Sequence, residues 1–457
     1  MEEVGSSLGD VELSFPIFFS FEKFVERRIG MKRVLYLGIC CLVVLGMVGT
    51  AAAIELRVMT VWGGQQKEYL DQMFAEYTSL NPEVKISHES VAGTGAAVYI
   101  EVLKTAAAAG TAPDVWFNWG GELSGFFADA GYCEPLDEYF EKYGWNKILI
   151  PWTIEAVRRN GKLYGVPICS HGMTFWYRKD LWDQLGLTEP KTYKELEELC
   201  AKTKAAGIYP LSVAGKYGWM VMRLLDYLLE YTAGPELHDK LNTAEESWDR
   251  PEVVEMYRLF KKWADEWIVP GFIQINPDDA RMPMYQGQAL MVFEGSWMET
   301  VFKHDGQDVN NFRFFLHPTE HEPLRISGFP EQFMVNAQSK YKKEALEFIN
   351  WFIQKDVQQK WLGKAITSTC TIGVYPDKNE LPNTYEFRKV LEQLQDVYPP
   401  TDQAFPPELM HKYFEIQDSV ALGLLTPEDA AKRMQAAIEE YKEETGIKVF
   451  GSAPGMK

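Results

Sequence analysis

The sequence predicts an α/β protein of two lobes, and three observations carry that expectation. Strand-like and helix-like segments alternate from Ile54 onward. The loops at the strand ends pair glycine with tryptophan. Beyond residue 53 the chain has about 400 residues, more than one compact domain ordinarily holds.

Residues 55–61 are apolar and β-branched enough for a buried strand. A helical pattern follows, with Leu70, Met73, Phe74 and Tyr77 on one face, stopped by Asn81-Pro82. Residues 84–87 form a second strand, the Ala-rich stretch 96–109 a second helix closed by Gly110, and 114–118 a third strand. This βαβαβ order predicts a parallel sheet with helices on its faces. Such sheets bind ligands beyond the carboxyl ends of their strands. Those ends carry Trp62-Gly63-Gly64, Glu89-Ser90 and Asn118-Trp119-Gly120-Gly121-Glu122. Glycine lets the backbone come close, and an indole offers a flat apolar face. Core filling is the competing reading of each tryptophan, and two on one edge weigh against it.

The second half repeats this grammar. Thr192-Tyr193-Lys194-Glu195 is a capping box opening a helix through Thr203. A strand at 209–213 leads into Gly215-Lys216-Tyr217-Gly218-Trp219, and one at 289–293 into Glu294-Gly295-Ser296-Trp297. Thr426-Pro427-Glu428-Asp429 starts the last helix, with proline in its first turn. Trp116 and Trp351 fall inside elements and read as core, while Trp145 and Trp152 fit either reading.

Met31-Lys32-Arg33, the apolar run 34–48 and Gly49-Thr50-Ala51-Ala52-Ala53 make a secretory signal peptide over 31–53. A membrane anchor is the rival, but spanning a bilayer takes about 20 apolar residues. Cys40 follows Ile39 rather than a small residue, so a lipid anchor is not expected. The mature chain is expected to be soluble and periplasmic or extracellular. Residues 1–30 form an upstream extension without export logic, which translation starting at Met31 would explain.

A net charge of −19 argues against nucleic acid, whose binding neutralises phosphates with Lys and Arg. The chain has no Gly-x-Ser-x-Gly elbow, no His-Glu-x-x-His and no phosphate loop, so no catalytic residue and no cofactor is assigned. Cys133, Cys169, Cys200 and Cys370 form no CxxC pair and no zinc-ligand spacing, so no metal is assigned either. Cys133 and Cys200 read as buried free thiols.

Four blocks then occur in order. They are Gly161-Lys162-Leu163-Tyr164-Gly165-Val166-Pro167, Phe175-Trp176-Tyr177-Arg178-Lys179-Asp180-Leu181-Trp182, Gln286-Gly287-Gln288-Ala289-Leu290-Met291 with Gly295-Ser296-Trp297, and the helical stretch 344–362. Together they resemble the family 1 extracellular solute-binding proteins, the sugar-binding group that includes maltose-binding protein. Arg178 departs from the pattern, which has Asn or Asp there. The resemblance implies a periplasmic-binding-protein fold of two α/β lobes with three hinge crossings, near 169–172, 328–331 and 368–373, and a ligand cleft between the lobes. One lobe would comprise 54–170 plus 329–369, the other 171–328 plus 370–457. Cys169 and Cys370 would then lie in different crossings, where a hinge disulfide becomes an expectation.

The implied function is capture of a carbohydrate and its delivery, by hinge closure, to the permease subunits of an ABC importer, by a monomer that is not an enzyme. Polyols, glycerol phosphodiesters and oligogalacturonates are the alternative solutes, and a secreted glycoside hydrolase is the rival class. Sugar C–H groups favour the negative face of an indole. Sugar hydroxyls need directed partners, since a buried unpaired polar group costs about 1–3 kcal/mol. The candidate ligand-binding residues are Trp62, Glu89, Asn118, Trp119, Glu122 and His171 from the first lobe and crossing, with Trp219, Glu294, Trp297 and Gly328 from the second. His171 as a hinge histidine bonded to backbone, and Glu294 as a solvated loop charge, are the plainer readings. Apart from Lys216 these loops carry Glu rather than Arg or Lys, which favours a neutral sugar.

Overall fold

Buried β-branched and aromatic segments set the frame, hydrogen-bonding into one continuous eight-stranded sheet with helices packed around it. A computed structural model of the chain describes residues 53–92, 95–322, 324–394 and 396–450. Strand β1 (Ile54–Thr60) runs parallel to β2 (Val84–Ser90) on one side and to β3 (Val115–Trp119) on the other. The helices Gly64–Leu80 and Gly95–Ala108 make the two crossovers, as the alternation predicts. Leu70, Met73, Phe74 and Tyr77 are the buried face of the first helix, and Asn81 caps it just before Pro82.

Strand β4 (Val166–Arg178) joins the two halves of the molecule. It is buried along nearly all of its 13 residues. Its second half pairs with β6 (Ala289–Gly295), which lies parallel to β5 (Tyr209–Ser212), and with β7 (Phe312–Phe315). Its first half pairs antiparallel with β8 (Gly328–Val335), which also pairs with β3. The sheet order is therefore β2-β1-β3-β8-β4-β6-β5, with β7 against the second half of β4.

Two hydrophobic cores divide along this sheet. One takes in Leu56 through Cys169 and returns from Phe333 to Val374; the other includes Met173, the strand ends Phe293 and Phe315, and the segment from Ala404 to Phe450. Within β4 the core changes between Cys169 and Met173. At that changeover Gly172 faces Gly328 across the strand pair. A Cβ on Gly328 would fall 2.7 Å from Val397 Cγ1, so glycine is what lets the 397 segment close over the hinge. Just before β8, Arg325 reaches Glu230 (3.2 Å), Asp239 (2.7 Å) and Asp396 (3.2 Å), tying the root of that strand to the second lobe.

The local signals read from the sequence have visible partners. Thr192 accepts from the Glu195 backbone N–H at 3.2 Å, and the Glu195 carboxylate accepts from the Lys191 N–H rather than from Thr192. Thr426 likewise caps Pro427–Thr445 by accepting from the Asp429 N–H. Arg178 donates to the Met284 and Tyr285 carbonyls (3.2 and 2.8 Å) and pairs with Asp180 (2.7 Å). It thereby ties the end of β4 to the turn before β6. Trp116 is fully buried and Trp351 half-buried against the first core. Trp145 and Trp152 are also buried, with their indole N–H groups donating to Asn350 and to the Leu391 carbonyl.

The expected hinge disulfide is corrected. All four cysteines of the described residues are free and buried. The Cys169 thiol has Glu331 and the Ser368 backbone as partners, whereas Cys370 is bonded by Thr153 and Ser170. The two thiols therefore have different hydrogen-bond partners. The expected signal peptide, 31–53, lies outside the described residues except for Ala53, as does the extension 1–30. Among the described residues no helix is long and apolar enough to cross a membrane. Thiol titration of the 54–457 chain, unfolded without reductant, should return four reactive thiols; two would restore the disulfide.

Candidate functional site

The carboxyl ends of β1, β3 and β6 open onto a cavity of about 660 Å³ between the two cores. Trp62 and Trp119 line it from the first lobe, both braced edge-on by the buried Phe117 at 4.8 Å. Trp219 and Trp297 line it from the second, with ring centroids 6.4 Å apart. Trp297 also meets His171 edge-on at 5.1 Å. Its ring folds back over Gly295, where a Cβ would sit 1.9 Å from the indole, so glycine at that strand end is a steric requirement. All four indoles are partly buried, walls of the cavity rather than centres of a core.

His171 projects from β4 and is buried. Its Nδ1 lies 3.1 Å from Ser296 Oγ and its Nε2 3.2 Å from Glu331 Oε2. The histidine thus bridges the hinge to the loop after β6 rather than satisfying backbone groups. Glu294 lines the cavity and is buried, not a solvated loop charge. Burial pushes its carboxyl up to about 7, against the opposing pull of Arg281, the Gly295 N–H and Arg223.

Four expected site residues lie elsewhere. Glu89 pairs with Arg57 at 3.1 Å. Register places it opposite Met59, so strand alternation sets Arg57 diagonally beside it on the same face. Asn118 is turned away from Trp119 by the same alternation; it accepts from the Trp119 N–H and donates to the Leu123 carbonyl. Glu122, in the first turn of Glu122–Asp129, holds Arg159 at 2.5 Å. Gly328 serves the hinge packing. Glu122 and Gly328 instead border a separate cavity of about 30 Å³.

The structure adds charged residues that sequence reasoning missed. Arg223 stands one turn after Trp219 in the helix Trp219–Ala233, hence on the same face, a spacing that was available as a signal. It is buried, 4.3 Å over the Phe329 ring and 3.7 Å from Asp402. Glu331 follows Phe329 by two residues on β8, so both face the cavity. Arg281 lines it too, paired with Asp305 at 2.5 Å. Asp402, in the four-residue helix Thr401–Ala404, had no local signature. Arg223 Nε and Nη1, Asp402 Oδ1, Asp418 Oδ1 and Glu331 Oε2 are buried atoms of this wall without a hydrogen-bond partner. Donors and acceptors beside flat aromatic faces can hold a polyhydroxylated, part-apolar molecule.

Residues 63–359 match the family model described as bacterial extracellular solute-binding protein. The chain belongs to that family. It is 23% identical over 383 residues to an ABC transporter extracellular-binding protein of Pyrococcus horikoshii, covering 82% of this chain and 80% of the relative. It is 24% identical over 339 residues to the multiple sugar-binding protein of Streptococcus mutans, covering 71% and 78%. A solved chitin oligosaccharide binding protein superposes with a TM-score of 0.76 at 22% identity, covering 85% of this chain and 99% of that one. As a solute-binding protein of two lobes, the chain has its cavity where the two lobes meet.

Glu294 generates a pH prediction. Its folded value of about 7 stands above the ordinary 4.5. The stability it contributes is therefore complete below the ordinary value and lost as pH rises through about 7. Between about pH 4 and pH 8 the wild type should lose about 3 kcal/mol relative to Glu294→Gln, measured by urea unfolding at each pH. Parallel stability curves for the two proteins would refute the assignment.

Proposed function

We propose that this protein captures a neutral carbohydrate in the cleft and presents it, by closure of the hinge, to the membrane permease subunits of an ABC importer. The observation that carries this reading is the cleft wall itself, where four partly buried tryptophans stand beside buried polar atoms that lack partners. Indoles cover the C–H faces of a sugar, and its hydroxyls supply the missing hydrogen bonds. The multiple sugar-binding protein and the chitin oligosaccharide binding protein support the same solute class. Trp62, Trp119, His171, Trp219, Glu294 and Trp297 are the ligand-contacting residues in this reading, joined by Arg223 and Asp402. In this reading one lobe comprises 54–170 plus 329–369 and the other 171–328 plus 370–457, a division supported by the change of core within β4 between Cys169 and Met173. Export by the 31–53 signal peptide and action as a monomer complete the reading.

A thermal-shift screen across mono- and oligosaccharides tests it. A bound saccharide at about 100 times its Kd stabilises by about 2.7 kcal/mol, and the saccharide should be recovered unhydrolysed. Trp297→Ala should keep its unliganded melting temperature within a few degrees and weaken the best saccharide at least about tenfold, about 1.4 kcal/mol. Stabilisation by organic anions with none by neutral saccharides would overturn the solute class; unchanged affinity would remove Trp297 from the site.

A further inference from the structure

Cys169 and His171 leave β4 on one face, two residues apart, and Glu331 stands directly across from Cys169 on β8. All three side chains are buried. Their ligand atoms, one thiol, one imidazole nitrogen and one carboxylate oxygen, lie within 4.8 Å of one another. We propose that Cys169, His171 and Glu331 form a binding site for a thiophilic divalent cation such as Zn2+, built into the hinge at the floor of the cleft.

The geometry is close to what such an ion needs. Tetrahedral zinc with bonds of about 2.0–2.3 Å sets its ligand atoms about 3.3–3.6 Å apart. His171 Nε2 and Glu331 Oε2 are already 3.2 Å apart. That carboxylate oxygen is buried and has no hydrogen-bond partner, an expensive state that a cation relieves. The other ring nitrogen, Nδ1, is engaged by Ser296 Oγ, which leaves Nε2 directed at the trio, the way an outer partner orients a metal-binding histidine. A mixed sulfur, nitrogen and oxygen set disfavours Ca2+ and Mg2+, which take oxygen, and suits Zn2+ or Co2+. Three protein ligands leave a fourth tetrahedral position, and two of the three line the cleft, so the fourth ligand is water or a solute hydroxyl from that side. Binding replaces the Cys169 thiol proton, which leaves to solvent. Because the binding form is the thiolate, affinity rises with pH.

The site stands independently of which solute the cleft takes, and the metal alone tests it. Co2+ added to the reduced full-length chain should give a near-ultraviolet thiolate-to-cobalt charge-transfer band, saturating at one equivalent and erased by Zn2+. The band should survive in Cys370→Ser and vanish in Cys169→Ser. Glu331→Gln, which preserves shape, should weaken Co2+ about tenfold or more and abolish the Zn2+-induced rise in melting temperature. No band in the wild type overturns the site. So does a band that persists in Cys169→Ser, which assigns the cobalt to another thiol. If Cys169→Ser does not fold, unchanged Co2+ affinity in Glu331→Gln overturns it equally.

Discussion

The antiparallel pairing of β4 with β8, from Val166 opposite Phe333 to Gly172 opposite Gly328, is the constraint on which the rest of the molecule depends. It is short, buried and shared. β4 begins in the first core and ends in the second, while β8 begins beside the second and ends in the first, so both lobes hang from the same ladder of hydrogen bonds. A strand buried on both faces must read as nearly continuous apolar sequence, and β4 does. The buried polar residues it keeps, Ser170, His171 and Thr174, all have named partners: Thr369, Ser296 and Phe315. Arg325 at the foot of β8 makes the second lobe a fixed support for that strand, because a buried guanidinium meets three carboxylates there. The first lobe holds β8 through Phe333, Met334 and Val335 in its core.

From this ladder the site follows. Strand ends deliver Trp62, Trp119 and Trp297 to one level, and the hinge strands deliver His171, Phe329 and Glu331 between them. Phe329 is the hub against which residues of the second lobe pack. Arg223 lies over one side of its ring, and Trp297 and His171 meet it at 6.3 and 5.4 Å. Cation–π contact and the Asp402 carboxylate at 3.7 Å hold the guanidinium in place without using up Nε and Nη1. Those donors are thus held in place with their hydrogen bonds unspent, and holding a donor in place beforehand lowers the cost of binding.

The fold was legible because its signals are local and periodic. The 3.6-residue spacing of Leu70, Met73, Phe74 and Tyr77 and the Thr192 and Thr426 caps each need only a few neighbouring residues. The tryptophans were legible for a related reason: a bulky ring beside glycine at a strand end has few other places to go. Polar residues on those same loops were not. Glu89 and Asn118 differ from Trp62 and Trp119 only in which way strand alternation turns them, and register is a property of the pair, not of either strand. Glu122 was claimed by Arg159, from a hairpin the loop sequence does not announce. Cys169, His171 and Glu331 could not be found by spacing at all, since the third residue arrives from a strand formed much later in the chain.

The charge of the cleft shows how a conclusion can outlive its premise. The sequence favoured a neutral ligand because the strand-end loops carried Glu without Arg. The structure brings Arg223 and Arg281 into the wall, which on a simple count would favour an anion. Each arrives with acid beside it: Asp402 at 3.7 Å from Arg223, and Asp305 at 2.5 Å from Arg281. Glu294, Glu331 and Asp418 add further carboxyls to the same wall. An anion docking on Arg223 would face Asp402 at close range in a poorly solvated pocket, where like charges repel most strongly. A hydroxyl meets no such conflict, because it can accept from the guanidinium and donate to the carboxylate at once. The Arg223–Asp402 pair is therefore better matched to a neutral, hydroxyl-bearing solute than either residue would be alone.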